Sequence, residues 1–178
     1  MSCPGYFTGS TGSSFCGSCV AGTFSSLPKA IVCTPCSAGS INSVNASTGC
    51  TQCPAGSVQP SDSGTVCNQC ATGSYQSLPG QPLCDSCQAG KAAPALNSTV
   101  CADCTAGTYA PSTGYAQCLP CANGTAISGT GQTACASCAP GRFAVDNGQS
   151  VCAQCPVRAR PRQQQQHQQQ QRLCAARV

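Results

Sequence analysis

Residues 50–73 read CTQCPAGSVQPSDSGTVCNQCATG. Two Cys-x-x-Cys pairs frame this stretch, and the first Cys of one lies 17 residues before the first Cys of the next. The same step continues in both directions. Pairs begin at Cys16, Cys33, Cys50, Cys67, Cys84, Cys101, Cys118, Cys135 and Cys152. A constant period of this kind is the mark of a quasi-one-dimensional array, in which one small unit recurs and contacts its neighbours.

Other positions keep the period. Three residues after the second Cys stands a Gly: Gly22, Gly39, Gly56, Gly73, Gly90, Gly107, Gly124 and Gly141. A Gly recurring at one turn position predicts a positive φ or a close backbone approach. Two residues further comes Phe24, Ile41, Val58, Tyr75, Ala92, Tyr109, Ala126 or Phe143. These residues are expected to pack on a disulfide and on the residue before the next Cys, namely Val32, Val66, Leu83, Val100 or Val151. Ser, Thr, Gly, Pro and Asn fill the rest and read as turns. The predicted fold is small, disulfide-rich and mostly irregular, with short β-strands, arranged as an elongated tandem-repeat rod of 17-residue units.

Composition explains why such a fold needs covalent help. The 178 residues include 20 Cys, no Trp and eight Phe or Tyr. Ordering the backbone costs roughly 1–2 kcal/mol per residue, while burying a Val or Leu returns only about 1.5–3 kcal/mol. One or two large apolar residues per repeat cannot balance that, so disulfides or a metal must contribute. Charge is sparse, at 7% of residues. Residues 1–155 carry Lys29, Lys91 and Arg142 against Asp62, Asp85, Asp103 and Asp146, a net of −1. With no basic stripe to displace counterions, nucleic acid is not an expected partner.

The ends break the pattern. Cys3-Pro4-Gly5-Tyr6-Phe7 resembles a repeat start with one residue missing before the Gly, and Arg158 stands where a Gly is due. The chain therefore divides by sequence into a repeat array, 1–155, and a Gln/Arg-rich tail, 156–178. The tail is expected to be disordered, because its low-complexity composition cannot build a core. No apolar run approaches the ~20 residues of a membrane span, and no signal peptide is visible at the N-terminus. Cysteine density nevertheless points to an oxidising compartment. The expectation is a fragment of a longer extracellular or cell-surface protein, which could itself be membrane-anchored.

One bond repeated in every unit is the simplest use of a constant period. Joining the second Cys of one pair to the first Cys of the next gives Cys3–Cys16, Cys19–Cys33, Cys36–Cys50, Cys53–Cys67, Cys70–Cys84, Cys87–Cys101, Cys104–Cys118, Cys121–Cys135 and Cys138–Cys152. Cys155 and Cys174 are left over. A crossed pattern, first to first and second to second, takes repeats two at a time and strands Cys3. Each chained loop would stabilise by about 3 kcal/mol in the chain-entropy picture.

Segments such as CVAGTF (19–24), CPAGSV (53–58), CATGSY (70–75) and CTAGTY (104–109), each followed by the next CxxC, resemble the ephrin type-A/B receptor-like cysteine-rich repeats. They are more distantly similar to the first half of a tumour necrosis factor receptor cysteine-rich domain. The resemblance covers about residues 3–155. It implies disulfides between successive units and a role in adhesion, recognition or spacing, with a protein or glycan ligand that the motif does not name.

Zinc is the competing chemistry. Two CxxC pairs separated by 13 residues fall close to zinc-ribbon spacing, and four thiolates make a structural site. Nine pairs, however, leave one over, and Cys3 and Cys174 idle. An intracellular zinc-binding CxxC array is the alternative to the extracellular module. Three sequons, at Asn45, Asn97 and Asn123, are candidate glycosylation sites. No catalytic set emerges. The chain has no Glu, its four Asp are scattered, and its one His, His167, lies in the glutamine tract. Neither an enzyme activity nor a cofactor is expected.

Overall fold

The computed structural model describes residues 4–9, 16–27 and 30–155. No helix occurs among them. Eighteen two-residue strands pair into nine antiparallel hairpins among the described residues. In each hairpin one strand holds the two residues after the repeat Gly, and the other the two residues between the cysteines of the next pair. Ser57–Val58, for example, pairs with Asn68–Gln69 in the register Ser57↔Gln69 and Val58↔Asn68. The small disulfide-rich repeat fold is thus as expected from the period.

A tight turn introduces every hairpin. Ser57 N–H donates to Pro54 O at 3.1 Å, and Gly56 between them has φ 85°. A positive φ at the third position is the type II turn, which favours Gly. Close approach adds a second reason: a Cβ on Gly56 would run into the carbonyl oxygen of Asn97.

Eight disulfides recur at the same step. They are Cys19–Cys33, Cys36–Cys50, Cys53–Cys67, Cys70–Cys84, Cys87–Cys101, Cys104–Cys118, Cys121–Cys135 and Cys138–Cys152, each closing a sequence separation of 14. Cys16 and Cys155 are also disulfide-bonded. Cys3 and Cys174, and the tail 156–178, lie outside the described residues.

The chain forms two compact units. The first comprises Met1–Ser86 and Pro94–Val100, the second Cys87–Ala93 and Cys101–Val178. Within the first unit the backbone builds a ladder between repeats. Gly39 N–H donates to Gln59 O and Gly56 N–H to Gln76 O, both at 2.7 Å. Gln76 N–H donates to Ser98 O at 3.1 Å, and Gly80 N–H to Cys53 O at 2.8 Å. Segment 94–100 belongs to this unit because Ser98 and Asn97 take part in that ladder. The second unit repeats the scheme by itself: Gly107 N–H to Ile127 O at 2.8 Å, Ala110 N–H to Gln132 O at 3.1 Å, and Gly131 N–H to Cys104 O at 2.8 Å.

The core of each unit is a column rather than a cluster. Cys19, Cys36, Cys53 and Cys70 in the first unit, and Cys87, Cys104 and Cys121 in the second, are wholly buried. Beside them runs the residue three after the repeat Gly. It is Ser25, Asn42, Gln59 or Gln76 in the first unit and Ala93, Ala110, Ile127 or Ala144 in the second; all but the half-buried Ile127 are buried.

One sequence expectation is corrected here. Val32, Val66, Leu83, Val100 and Val151 do not pack inward; they are 61–70% exposed. At Val66 and Leu83 the backbone is in addition held by a buried amide. Gln59 Nε2 donates to Val66 O at 2.7 Å and Gln76 Nε2 to Leu83 O at 2.8 Å. The backbone turns its oxygen to the buried amide, and the side chain is left in solvent.

Candidate functional site

Chemistry at sulfur is closed in the described array, because its cysteines are disulfide-bonded and a disulfide sulfur is no thiolate ligand. Among the described residues no three His, Cys, Asp or Glu side chains gather as a metal-binding group. The repeated pairs that suggested a zinc ribbon are the points where one loop is closed and the next begins.

Charged groups are dispersed. Lys91 Nζ lies 2.6 Å from Asp103 Oδ1 across a hairpin of the second unit, with side chains 38% and 53% exposed. Arg142 donates from Nη1 to Cys152 O at 3.2 Å. Asp62 Oδ1 accepts the Ala38 N–H at 2.9 Å, and Asn45 Oδ1 accepts the Ala21 N–H at 3.0 Å. The last two bonds were missed by sequence reasoning. Their signal was present: Asn45 and Asp62 are one period apart, and short carboxamide and carboxylate side chains readily take backbone N–H groups.

All three sequon asparagines are exposed. Asn97 has φ 61°, a left-handed conformation that Asn tolerates better than most residues. Asn123 sits in the tight turn just before Gly124, where Thr125, the sequon hydroxyl, donates to Ala122 O at 2.6 Å. Asn45 holds Ala21 through its oxygen, which leaves its amide nitrogen, the atom a glycan would occupy, out of that bond.

A depression beside Ile127, Arg142 and Val151 in the second unit measures about 280 Å³. Pockets that enclose small ligands run to roughly 300–1,000 Å³, so this one is marginal in size; beside its single guanidinium it holds the hydroxyls of Ser128, Ser137 and Ser150, with no carboxylate or imidazole in its lining to activate them. What each unit offers instead is surface. The residues between paired cysteines are exposed throughout, from Thr34–Pro35 to Ala153–Gln154. The first unit adds apolar side chains that point outward, Val66, Leu78, Leu83 and Val100 among them. Among the described residues no helix is long and apolar enough to cross a membrane. No family model matches the chain, and no curated protein matches it.

Proposed function

We propose that the chain is a non-catalytic cysteine-rich repeat module that works outside the cell or on its surface, as an interaction, adhesion or spacer element. The observation that carries this reading is the recurrence of one disulfide-closed loop in every described repeat. Bonds of that kind persist in oxidising compartments and are reduced in the cytosol. The positions that repeat are those needed for folding, the cysteines and the turn Gly. Apart from the buried residue three beyond that Gly, the positions that vary are mostly exposed, which is where recognition of a protein or glycan would operate. The likeness of residues 3–155 to ephrin receptor-like repeats points the same way, and Asn45, Asn97 and Asn123 are its candidate glycan carriers.

Alkylation of the native chain without reductant, followed by mass measurement, tests the reading. The expected result is that the cysteines of the array stay unmodified until a reductant is added, and that the native mass is lower by two hydrogens per bridge. Full alkylation without reductant, together with bound zinc, would establish the intracellular metal-binding array instead.

A further inference from the structure

The first unit carries an apolar stripe that its own core does not use. Leu78 and Leu83 define it. Both are attached to one buried side chain: Gln76 Oε1 accepts the Leu78 N–H at 3.1 Å, and Gln76 Nε2 donates to Leu83 O at 2.8 Å. Held in this way at the backbone, the two leucines face solvent, 59% and 67% exposed. One repeat earlier Gln59 holds Ser61 and Val66 by the same two bonds, at 3.2 and 2.7 Å. One repeat later the positions are Ala95 and Val100, the latter 70% exposed. Towards the N-terminus they are Val44, at 61%, and the pair Leu27 and Val32, at 68% and 67%. The backbone ladder joins each repeat to the next, so these positions follow one another along the unit.

We infer that this stripe is a self-association face, and that its occupant is a second copy of the chain. Area supports it. A wholly exposed Val or Leu offers roughly 100 Å² of apolar surface. Seven such residues at about two-thirds exposure supply roughly 450 Å², and at the usual 56–58% apolar share this corresponds to about 800 Å² per partner, the size of a standard stable interface. Charge selects the occupant. The loops that carry these positions hold only two charged residues in sequence, Lys29 and Asp62, and Asp62 is engaged with the Ala38 N–H. A highly charged partner would find little to pair with. A second copy presents an equally charge-poor apolar surface, and a two-fold contact of this face with itself brings few like charges together. The clamps matter as well, because a loop backbone already held in place loses little freedom on binding.

This inference rests on the interaction-module reading and names a partner for it. The two can fail separately, since the thiol measurement above does not depend on association. The test is sedimentation equilibrium of the full oxidised chain, treated with an endoglycosidase because Asn45 adjoins Val44 and Asn97 precedes Val100 by three residues. The expected result is a monomer–dimer equilibrium with a micromolar or tighter dissociation constant. Leu78→Ser with Leu83→Ser removes four leucines from the paired face and should weaken it by about tenfold or more. Val151→Ser, at an equally exposed position of the second unit, should leave it unchanged. A non-reducing peptide map verifies the disulfides of each variant. Should the double variant misfold, Val66→Lys supplies the second arm, by setting like charges on the same face. A chain that stays monomeric, an equilibrium indifferent to the leucine or lysine changes, or an equal loss with Val151→Ser overturns the inference.

Discussion

The two units fill the same position with opposite chemistry. Three residues beyond the turn Gly, the first unit buries Ser25, Asn42, Gln59 and Gln76, at 3–7% exposure. The second unit has Ala93, Ala110, Ile127 and Ala144 there. Yet the hairpins, the ladder and the disulfides around these residues are the same in each unit. A column that tolerates such a change is not what specifies the fold. The cysteines and the turn Gly specify it, and the column is free to do something further. In the first unit its amides reach out to the loop and hold Ser61, Val66, Leu78 and Leu83 by their backbones. Among the described residues no buried side-chain polar atom lacks a partner, which is the condition for tolerating polar groups there. In the second unit small apolar side chains close the space and no such clamp exists.

Removing a disulfide should erase that difference. Replacing Cys53 and Cys67 by Ser in the first unit, or Cys104 and Cys118 by Ser in the second, opens a loop of the same length. Each change should cost about 3 kcal/mol from loop closure alone, with more from the polar hydroxyl left at wholly buried Cys53 or Cys104. Urea unfolding of the two double variants should therefore give equal losses. A loss confined to one unit would show that the column, and not the staple, carries that unit.

The turn Gly sharpens the comparison within one position. Gly56 and Gly107 both have φ 85°, and a Cβ on either would strike the carbonyl oxygen of the residue 41 positions on, Asn97 or Gly148. Gly56→Ala and Gly107→Ala should each cost roughly 3 kcal/mol, combining left-handed strain with overpacking. Gly141 has φ 79° with open space where a Cβ would stand. Gly141→Ala should cost only about 1–2 kcal/mol, from the conformation alone. Equal losses at all three sites would mean that the close approach contributes nothing.

Much of this could be read from residues 50–73 before any coordinates. Cysteine spacing and a Gly in fixed phase are local, periodic signals, and they announce the turn and the hairpin that follows it. Gln59 and Gln76 gave no such signal, because a Gln in a Ser- and Pro-rich loop reads as a solvent-facing residue. Val66 and Leu83 misled in the opposite sense. Apolar residues beside a cysteine were expected in the core, but the rule that interiors are apolar does not run backwards, and apolar residues are common on surfaces. At Val66 and Leu83 the buried polar side chain bonds the backbone of the apolar residue, but Val32, Val100 and Val151 face solvent without any such bond, so exposure belongs to the position and the clamp is added to it. Asn45 and Asp62 were legible in principle, being one period apart, but were weighed as a sequon and as a scattered acid.

Exchanging the column between units tests that account. Gln76→Ala should cost about 1–2 kcal/mol by freeing one donor and one acceptor that water can only partly satisfy. Hydrogen exchange should report it locally, as faster exchange of the Leu78 N–H. Ala110→Gln is the reverse change at a wholly buried site, and should cost about 1–3 kcal/mol through overpacking. A neutral Ala110→Gln would mean that the second unit has room for a clamp and that the difference between the units is accidental.

The smallest effect belongs to the one ion pair, Lys91–Asp103, which only the second unit has among the described residues. It spans a hairpin at positions that Ser57 and Gln69 occupy in the first unit without any charge. Both side chains are well exposed, so water and salt screen their attraction. Lys91→Met should change unfolding stability by at most about 1 kcal/mol, and that change should shrink further when the measurement is repeated in high salt. A larger, salt-independent loss would indicate that the Lys91 stem, rather than its charge, packs on the hairpin. In that case the second unit would depend on side-chain packing at a position where the first unit manages with a serine.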